Sequence, residues 1–309
     1  MKRTSRPDFA SVRSGLVGGG FDANGRADAV NTGLSRSGAP GCADTFDASV
    51  LMAVYDGTPE AFLRESLSSL AHQTQPCPVV LVVDGPVTWD MDRLAADFGS
   101  LSIRTVRLPE NNGLASALNA GLETIETRFV FRMDADDVAA PQRFARLIAY
   151  ADEHDSRFLC SWHKEFGERS ETKKTPTTPG SLHRRLMWHN IVSHPSVMVE
   201  TALLRTAGGY RHSAGRMEDY DLYLRLRAMQ VRFDCVGEPL VFVRTDGQSK
   251  RRAGLSYLRA EANLRRMWHR EGLLPPTVNV LSFLAHTGFR VAPSGFRALL
   301  FRGVRFFGR

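Results

Sequence analysis

The chain has 309 residues, 43% of them apolar and 24% charged, enough for one large core or two small ones and ordinary for a globular protein. The net charge of +7 is lopsided: residues 1–47 carry +1 and residues 272–309 carry +5 with no acid, leaving +1 between them. The excess therefore belongs to a tail, and a nucleic-acid-binding domain is not expected. Cys42, Cys77, Cys160 and Cys235 show no CxxC or Cys/His metal spacing and read as reduced thiols of a cytosolic protein.

Residues 1–47, rich in Gly, Ser, Asn and Arg, lack apolar periodicity and read as a disordered leader. The opening "MKRTSRPDFASVRSGLVGGG" is basic but has no apolar core of a secretory signal. No run of about 18 or more apolar residues is long enough to span a bilayer. From residue 48 the texture changes. "SVLMAVY" (49–55) reads as a buried strand followed by the turn "DGTP", and "PEAFLRESLSSLAHQT" as an amphipathic helix with Pro59 near its start. "PVVLVVDGP" (78–86) is a second buried strand ending at Asp84 and Gly85. "MDRLAADFG" is a helix, "SIRTVRL" a strand, "GLASALNAGLETI" (113–125) a helix, and "RFVFRM" (128–133) a further strand. Continuous apolar strands alternating with helices predict an α/β fold, a mostly parallel sheet covered on both faces, as one domain over 48–271. Ligands of such sheets bind beyond the carboxyl ends of the strands. Asp56, Asp84, Asn112 and the aspartates at 134–137 all fall there.

"FRMDADDVAAPQRF" places Asp134 and Asp136 two residues apart at a strand end, so both point to one side if strand geometry persists. Two such carboxylates repel unless a cation lies between them, and Mg²⁺ typically takes one or two carboxylates plus substrate phosphates. The plainer alternative is a solvated acidic turn that caps the helix "PQRFARLIAYADE", a role that suits Asp137.

In order, "SVLMAVYDGTPEAFLRESLSSLAHQT", "VVLVVDGP", "LPENNGLASALNAGL", "FRMDADDVAAPQRF", "NIVSHPSVM", "AGGY" and "MEDYDLYLRL" resemble family 2 glycosyltransferases. The resemblance is to the branch that builds bacterial capsules and exopolysaccharides, of the amylovoran-biosynthesis type. It covers about residues 48–271 and implies a GT-A fold, a nucleotide-sugar donor with UDP-sugars first, Mg²⁺ or Mn²⁺, and inversion at the anomeric carbon. It further implies that Ala53, Tyr55 and Asp84 face the base and ribose, and that Asn112 and Gly113 border the nucleotide. Asp134 and Asp136 would hold ribose and metal-bound diphosphate. Two departures stand out: many relatives have Pro at the place of Ala53, and two acids where "VDGP" has Asp84 alone, which leaves the nucleotide base open.

"GRMEDYDLYLRLRAM" (215–229) has Leu222, Leu226 and Met229 at helical spacing, so Glu218 and Asp219 fall at a helix start. Helix capping alone would account for one acid, and here three stand within four residues. The resemblance assigns the general base to this place and matches it to Asp219, with Glu218 next and Asp221 toward the acceptor. "WHNIVSHPSVM" contains His189 and His194; a structural histidine and an acceptor-side role are both open for His194. "TDGQSKRRAG" (245–254) is either a solvated basic loop or, through Arg251 and Arg252, a clamp on the departing diphosphate. "SGFRALLFRGVRFFGR" (294–309), within a basic tail spanning 272–309, segregates Phe296, Leu299, Leu300, Val304 and Phe307 from Arg297, Arg302, Arg305 and Arg309. Such a helix lies on a membrane surface or docks on its own protein. A glycan or lipid-linked acceptor, and a place on the cytoplasmic face of the cell membrane, would follow from the first. The rival functions are a sugar nucleotidyltransferase, against which the loop "YDGTPEAF" argues by lacking Gly-rich, Arg- and Lys-bearing character, and a non-catalytic carbohydrate-binding protein, against which the intact acids argue.

Overall fold

Strand β1 (Ala48–Val54) is apolar on both sides because both sides are covered. The computed structural model describes residues 47–246 and 255–291. In it β1, β2 (Val79–Asp84), β3 (Ile103–Leu108) and β4 (Phe129–Arg132) form a parallel array in the order β3-β2-β1-β4. Val50 is in register with Val79, and Ser49 with Val130. Helices α1 (Glu60–Ala71), α2 (Met91–Asp97) and α3 (Leu114–Glu123) make the crossovers.

Successive strand residues face opposite ways, and two separate cores follow from that alternation. Val50, Met52 and Val54 of β1 pack with Leu63, Leu67 and Leu70 of α1, and with Phe144 and Leu147 of α4 (Arg143–His154). Leu51, Val80 and Val82 face the other way, onto Leu118 and Leu122 of α3. At roughly 1.5–3 kcal/mol for each fully buried leucine, the three leucines of α1 supply most of what holds that helix down. On the other face α3 approaches so closely that a Cβ at Gly121 would lie 2.4 Å from Leu51 Cδ1 and 2.7 Å from Val82 Cγ2. The helices on both faces and the four parallel strands match the expectation from the sequence.

Beyond β4 the sheet continues with mixed direction. The strands are β5 (Val138–Ala139), β6 (Phe158–Phe166), β7 (Thr172–Lys173), β8 (Met198–Glu200) and β9 (Asp234–Arg244). The order runs on as β4-β8-β6-β9-β5, with β7 on β6. β8 is antiparallel to β4, with Val130 opposite Val199. Nothing in the sequence pattern announced this half, and the reason is visible in β6. Only its first four residues are buried, and its register with β9 shifts between Ser161 and His163.

The remaining helices are α5 (Pro179–Leu186), α6 (Thr201–Thr206), α7 (Glu218–Ala228), α8 (Leu255–Arg270) and α9 (Pro276–Val291). Trp268 of α8 is fully buried in the core that contains α3 and α7, and Leu273 and Leu274 join it. Buried Arg265, paired within α8 to Glu261 at 3.0 Å, ties α9 to α8 through Asn279 Oδ1 at 3.2 Å and Ser282 Oγ at 2.8 Å. Among the described residues no helix is long and apolar enough to cross a membrane. Residues 1–46 of the expected leader and the amphipathic segment 294–309 lie outside the described residues.

Candidate active site

The carboxyl ends of β1, β2 and β4 open into a cleft of about 520 Å³. Ala53 and Tyr55 form the wall that leaves β1, Asp84 and Gly113 the wall beside β2, and Asp134 and Asp136 the wall after β4. Six of the residues expected at the donor side are thus brought together. Tyr55 is 42% exposed at the rim, its ring lying over Gly57, where a Cβ would come within 2.3 Å of it. Asp56 braces the neighbouring loop by accepting hydrogen bonds from Thr88 N and Thr88 Oγ1, both at 2.9 Å.

Asp84 is buried and works on the backbone. Its two carboxylate oxygens accept from Asn112 N at 2.8 Å and Gly113 N at 2.9 Å, at the start of α3. An anion at a helix N-terminus is favoured by the orphan amides and the helix dipole. Gly85, with φ of +84°, lets the next loop approach closely: a Cβ there would sit 2.7 Å from Asn111 N. This packing turns Asn111 into the cleft. Asn112, the expected residue, instead gives its backbone amide to Asp84 and its side-chain amide to Glu110 O at 3.2 Å. In "ENNG" the two asparagines are adjacent, and only the three-dimensional turn distinguishes them.

The acidic loop after β4 stands on arginines. Arg132, 1% exposed, donates to the Asp134 carboxylate and to the Met133 carbonyl. Arg244, at the end of β9, donates its backbone N to Asp137 Oδ1 at 2.8 Å and its Nε to the Asp136 carbonyl at 3.0 Å. Its guanidinium pairs with Glu65 and lies 3.9 Å from the Phe62 ring centre and 4.5 Å from that of Phe166. Asp137 is therefore not the cap of the following helix, as its position before Pro141 suggested; the residue before α4 is Gln142, which makes no side-chain cap. Asp137 faces inward, where burial raises its pKa well above the usual carboxylate range and the charges of Asp134 and Asp136 add to the effect.

The second acidic stretch opens α7. Glu218 is buried, and burial, reinforced by the charge of Asp219, pushes its pKa up to about 7, while Arg132 opposes the rise. Among the described residues its Oε2 has no hydrogen-bond partner. Asp219 is half-buried and accepts from Asn190 Nδ2 at 2.7 Å and Tyr220 N at 2.7 Å. Asp221 points elsewhere: fully buried, it accepts from Arg225 Nε at 2.9 Å and Trp268 Nε1 at 2.8 Å, which locks α7 to α8 rather than facing an acceptor. His194 is likewise enclosed, 3.2 Å from Tyr210 Oη, and burial, with Arg132 nearby, holds it neutral, well below the usual histidine range. Arg251 and Arg252 lie outside the described residues.

Sequence reasoning missed Asn111, Asp246 on the cleft wall, and the buried arginines. The last carried a signal: "FVFRMD" interrupts an apolar strand with a charge. A divalent cation fits the donor set on offer. Among the described residues no three His, Cys, Asp or Glu side chains form a ready cage. Asp137 faces inward, whereas Asp134, with Oδ1 on Arg132, and Asp136 line the open cleft wall. That matches a hard cation completed by phosphate oxygens and water better than a closed protein site.

Comparison with known proteins bears on the family and the fold. A sequence model described as "Glycosyl transferase family 2" matches residues 49–207. The amylovoran biosynthesis glycosyltransferase AmsE of Erwinia amylovora is 34% identical over 226 residues, 71% of this chain and 84% of that protein. The Escherichia coli UDP-Gal:alpha-D-GlcNAc-diphosphoundecaprenol beta-1,3-galactosyltransferase is 29% identical over 269 residues, 84% of this chain and 97% of its own length. Among solved structures, S. aureus TarS 1–349 in complex with UDP-GlcNAc superposes with a TM-score of 0.59 at 21% identity, over 71% of this chain and 65% of that one. That likeness extends to the GT-A fold. With more than half of the chain matched by the family's own pattern, and relatives aligned over most of their lengths, the protein is a glycosyltransferase and belongs to glycosyl transferase family 2.

Proposed function

We propose that the chain transfers a sugar, with inversion, from a UDP-sugar to a polysaccharide or lipid-linked acceptor, using Mg²⁺ or Mn²⁺ held by Asp134 and Asp136. The observation that carries this reading is the proximity of two acidic stretches from separate elements: one on the cleft wall after β4, the other at the start of α7, near enough for Asp134 to act electrostatically on Glu218. Tyr55, Asp84, Asn111 and Gly113 line the cleft and suit a nucleoside, with Tyr55 offering a ring face. A bound divalent cation would neutralise the diphosphate and ease its departure. Attack from the opposite side requires a base that takes the acceptor hydroxyl proton, a contribution of about 10²–10⁴-fold. Asp219 fits that role by its exposure and by the Asn190 bond that orients it; Glu218, buried and with a high pKa, is the next candidate. The two relatives above point to the acceptor: one bears the name of a polysaccharide pathway, the other of a diphosphoundecaprenol substrate. A lipid-linked acceptor would place the enzyme on the cytoplasmic face of the membrane, and the acid-free stretch 272–309 with its five arginines suits an anionic surface.

Calorimetry of the full chain with UDP tests the donor side. UDP should bind measurably more tightly with Mn²⁺ than with EDTA, and Asp136→Ala should remove the difference with the melting temperature unchanged. Retention of full metal-dependent affinity in that variant would dismiss the assignment.

A further inference from the structure

Arg132 ends β4 between Phe131 and Met133, both fully buried, and is itself 1% exposed. An apolar side chain would suit that place in the sheet. A buried charge is costly to desolvate, and replacing buried ion pairs with apolar residues is often neutral or stabilising. Stability therefore gives no reason for a guanidinium here, whereas its contacts do. Nη2 donates to Asp134 Oδ1, and Nη1 to the Met133 carbonyl. The Arg132 carbonyl is itself fixed, accepting from Arg143 Nη2 at 2.8 Å, while the same Nη2 reaches the Pro195 carbonyl at 2.5 Å. Among the described residues, Arg132 Nε, Arg143 Nε and Glu218 Oε2 are buried without a hydrogen-bond partner. The Arg132 and Glu218 side chains lie close enough to interact electrostatically.

We propose that Arg132 is a positioning residue for sugar transfer: it engages one oxygen of Asp134, leaving the other for the donor, and sets a fixed positive charge beside Glu218. The proposal rests on the donor-site reading given above. It makes Asp134 a one-oxygen ligand held at a fixed angle. It also links the two acidic stretches, 84 residues apart between Asp134 and Glu218, through one shared countercharge.

The test is calorimetry of the full chain with UDP, in Mn²⁺ and in EDTA, on the wild type and Arg132→Lys. Lysine keeps the charge but replaces the planar fork with a single point donor. The Mn²⁺-dependent affinity should fall at least about tenfold, or about 1.4 kcal/mol, while affinity in EDTA changes less than about threefold. In an Asp134→Asn background the same lysine substitution should change the Mn²⁺-dependent affinity by less than about threefold, because both changes then act on one interaction. Wild-type affinity in Arg132→Lys, or full additivity with Asp134→Asn, overturns the proposal. If Arg132→Lys does not fold, the cycle of Asp134→Asn with Glu218→Gln decides it. Losses in kcat/KM that depart from the product of the single effects by about tenfold or more support the link, and losses that simply multiply overturn it. A wild type with no Mn²⁺-dependent UDP binding refutes the donor reading and the proposal with it. A wild type that binds, beside a lysine variant that binds equally well, refutes the proposal alone.

Discussion

Glu218→Gln should stabilise the protein at alkaline pH and leave it unchanged in acid. Burial, helped by the negative charge of Asp219, lifts the Glu218 carboxyl from 4.5 to about 7 in the native state. Below pH 4.5 the side chain is protonated whether the chain is folded or not, and glutamine imitates it. Between 4.5 and about 7 the unfolded chain releases the proton while the native chain keeps it. The wild type then binds more protons folded than unfolded and loses stability as pH rises, by about 1.4 kcal/mol per pH unit relative to the variant. Above about 7 both states are ionised and the gap levels off at about 3 kcal/mol. For a domain of this size that corresponds to a rise in Tm on the order of 6–12 °C. Urea denaturation of both proteins at pH 5, 6.5 and 8, followed by tryptophan fluorescence, reads the difference directly, and groups common to both cancel. A gap that stays constant from pH 5 to 8, or one that shrinks as pH rises, would show that Glu218 is not held in the protonated form and would refute the reasoning.

Asp219→Asn should lower kcat for sugar transfer by at least about a hundredfold with donor KM nearly unchanged, since it removes proton acceptance and not donor contacts; transfer at the wild-type rate would move the base elsewhere. Asp84→Ala leaves Asn112 N and Gly113 N without their acceptor at the start of α3. It should cost about 2–5 kcal/mol in denaturant titrations and weaken UDP binding in EDTA as well as in Mn²⁺, and a fully stable variant would contradict the capping role. Removing residues 294–309 should reduce flotation with anionic vesicles, and added salt should weaken the flotation of the intact protein; equal flotation of both forms would place the membrane contact outside the tail.

The parallel half was legible because each strand is buried on both faces, so "SVLMAVY" and "PVVLVVDGP" needed only the rule that continuous apolar runs between helices form a covered sheet. The cleft residues were legible for the same reason, since strand ends locate themselves once the strands are known. Reading stopped where burial is partial: β6 is buried for four residues and then emerges, and β8 has only three residues. Roles within the acidic stretches were harder still. Asp134, Asp136 and Asp137 look alike in sequence, and only the docking of β9 makes the last one an internal brace. In the same way Glu218, Asp219 and Asp221 differ by their surroundings: a buried place where Oε2 finds no partner among the described residues, Asn190, or Arg225 and Trp268. Those neighbours come from elements far along the chain, and periodicity is blind to them.

The bond from Arg244 N to Asp137 spans 107 residues, and this has a consequence for biosynthesis. As the polypeptide leaves the ribosome, β1 to β4 are all available once Arg132 has been made, and their pairing is local. The Asp137 carboxylate must wait for Arg244 to arrive and for β9 to take its place between β6 and β5. Contacts of such long separation close late, because the entropy of the intervening loop is lost before they contribute. A nascent chain thus pairs β1 to β4 before the acidic loop is set, and the Asp137 brace forms only after β9 has docked.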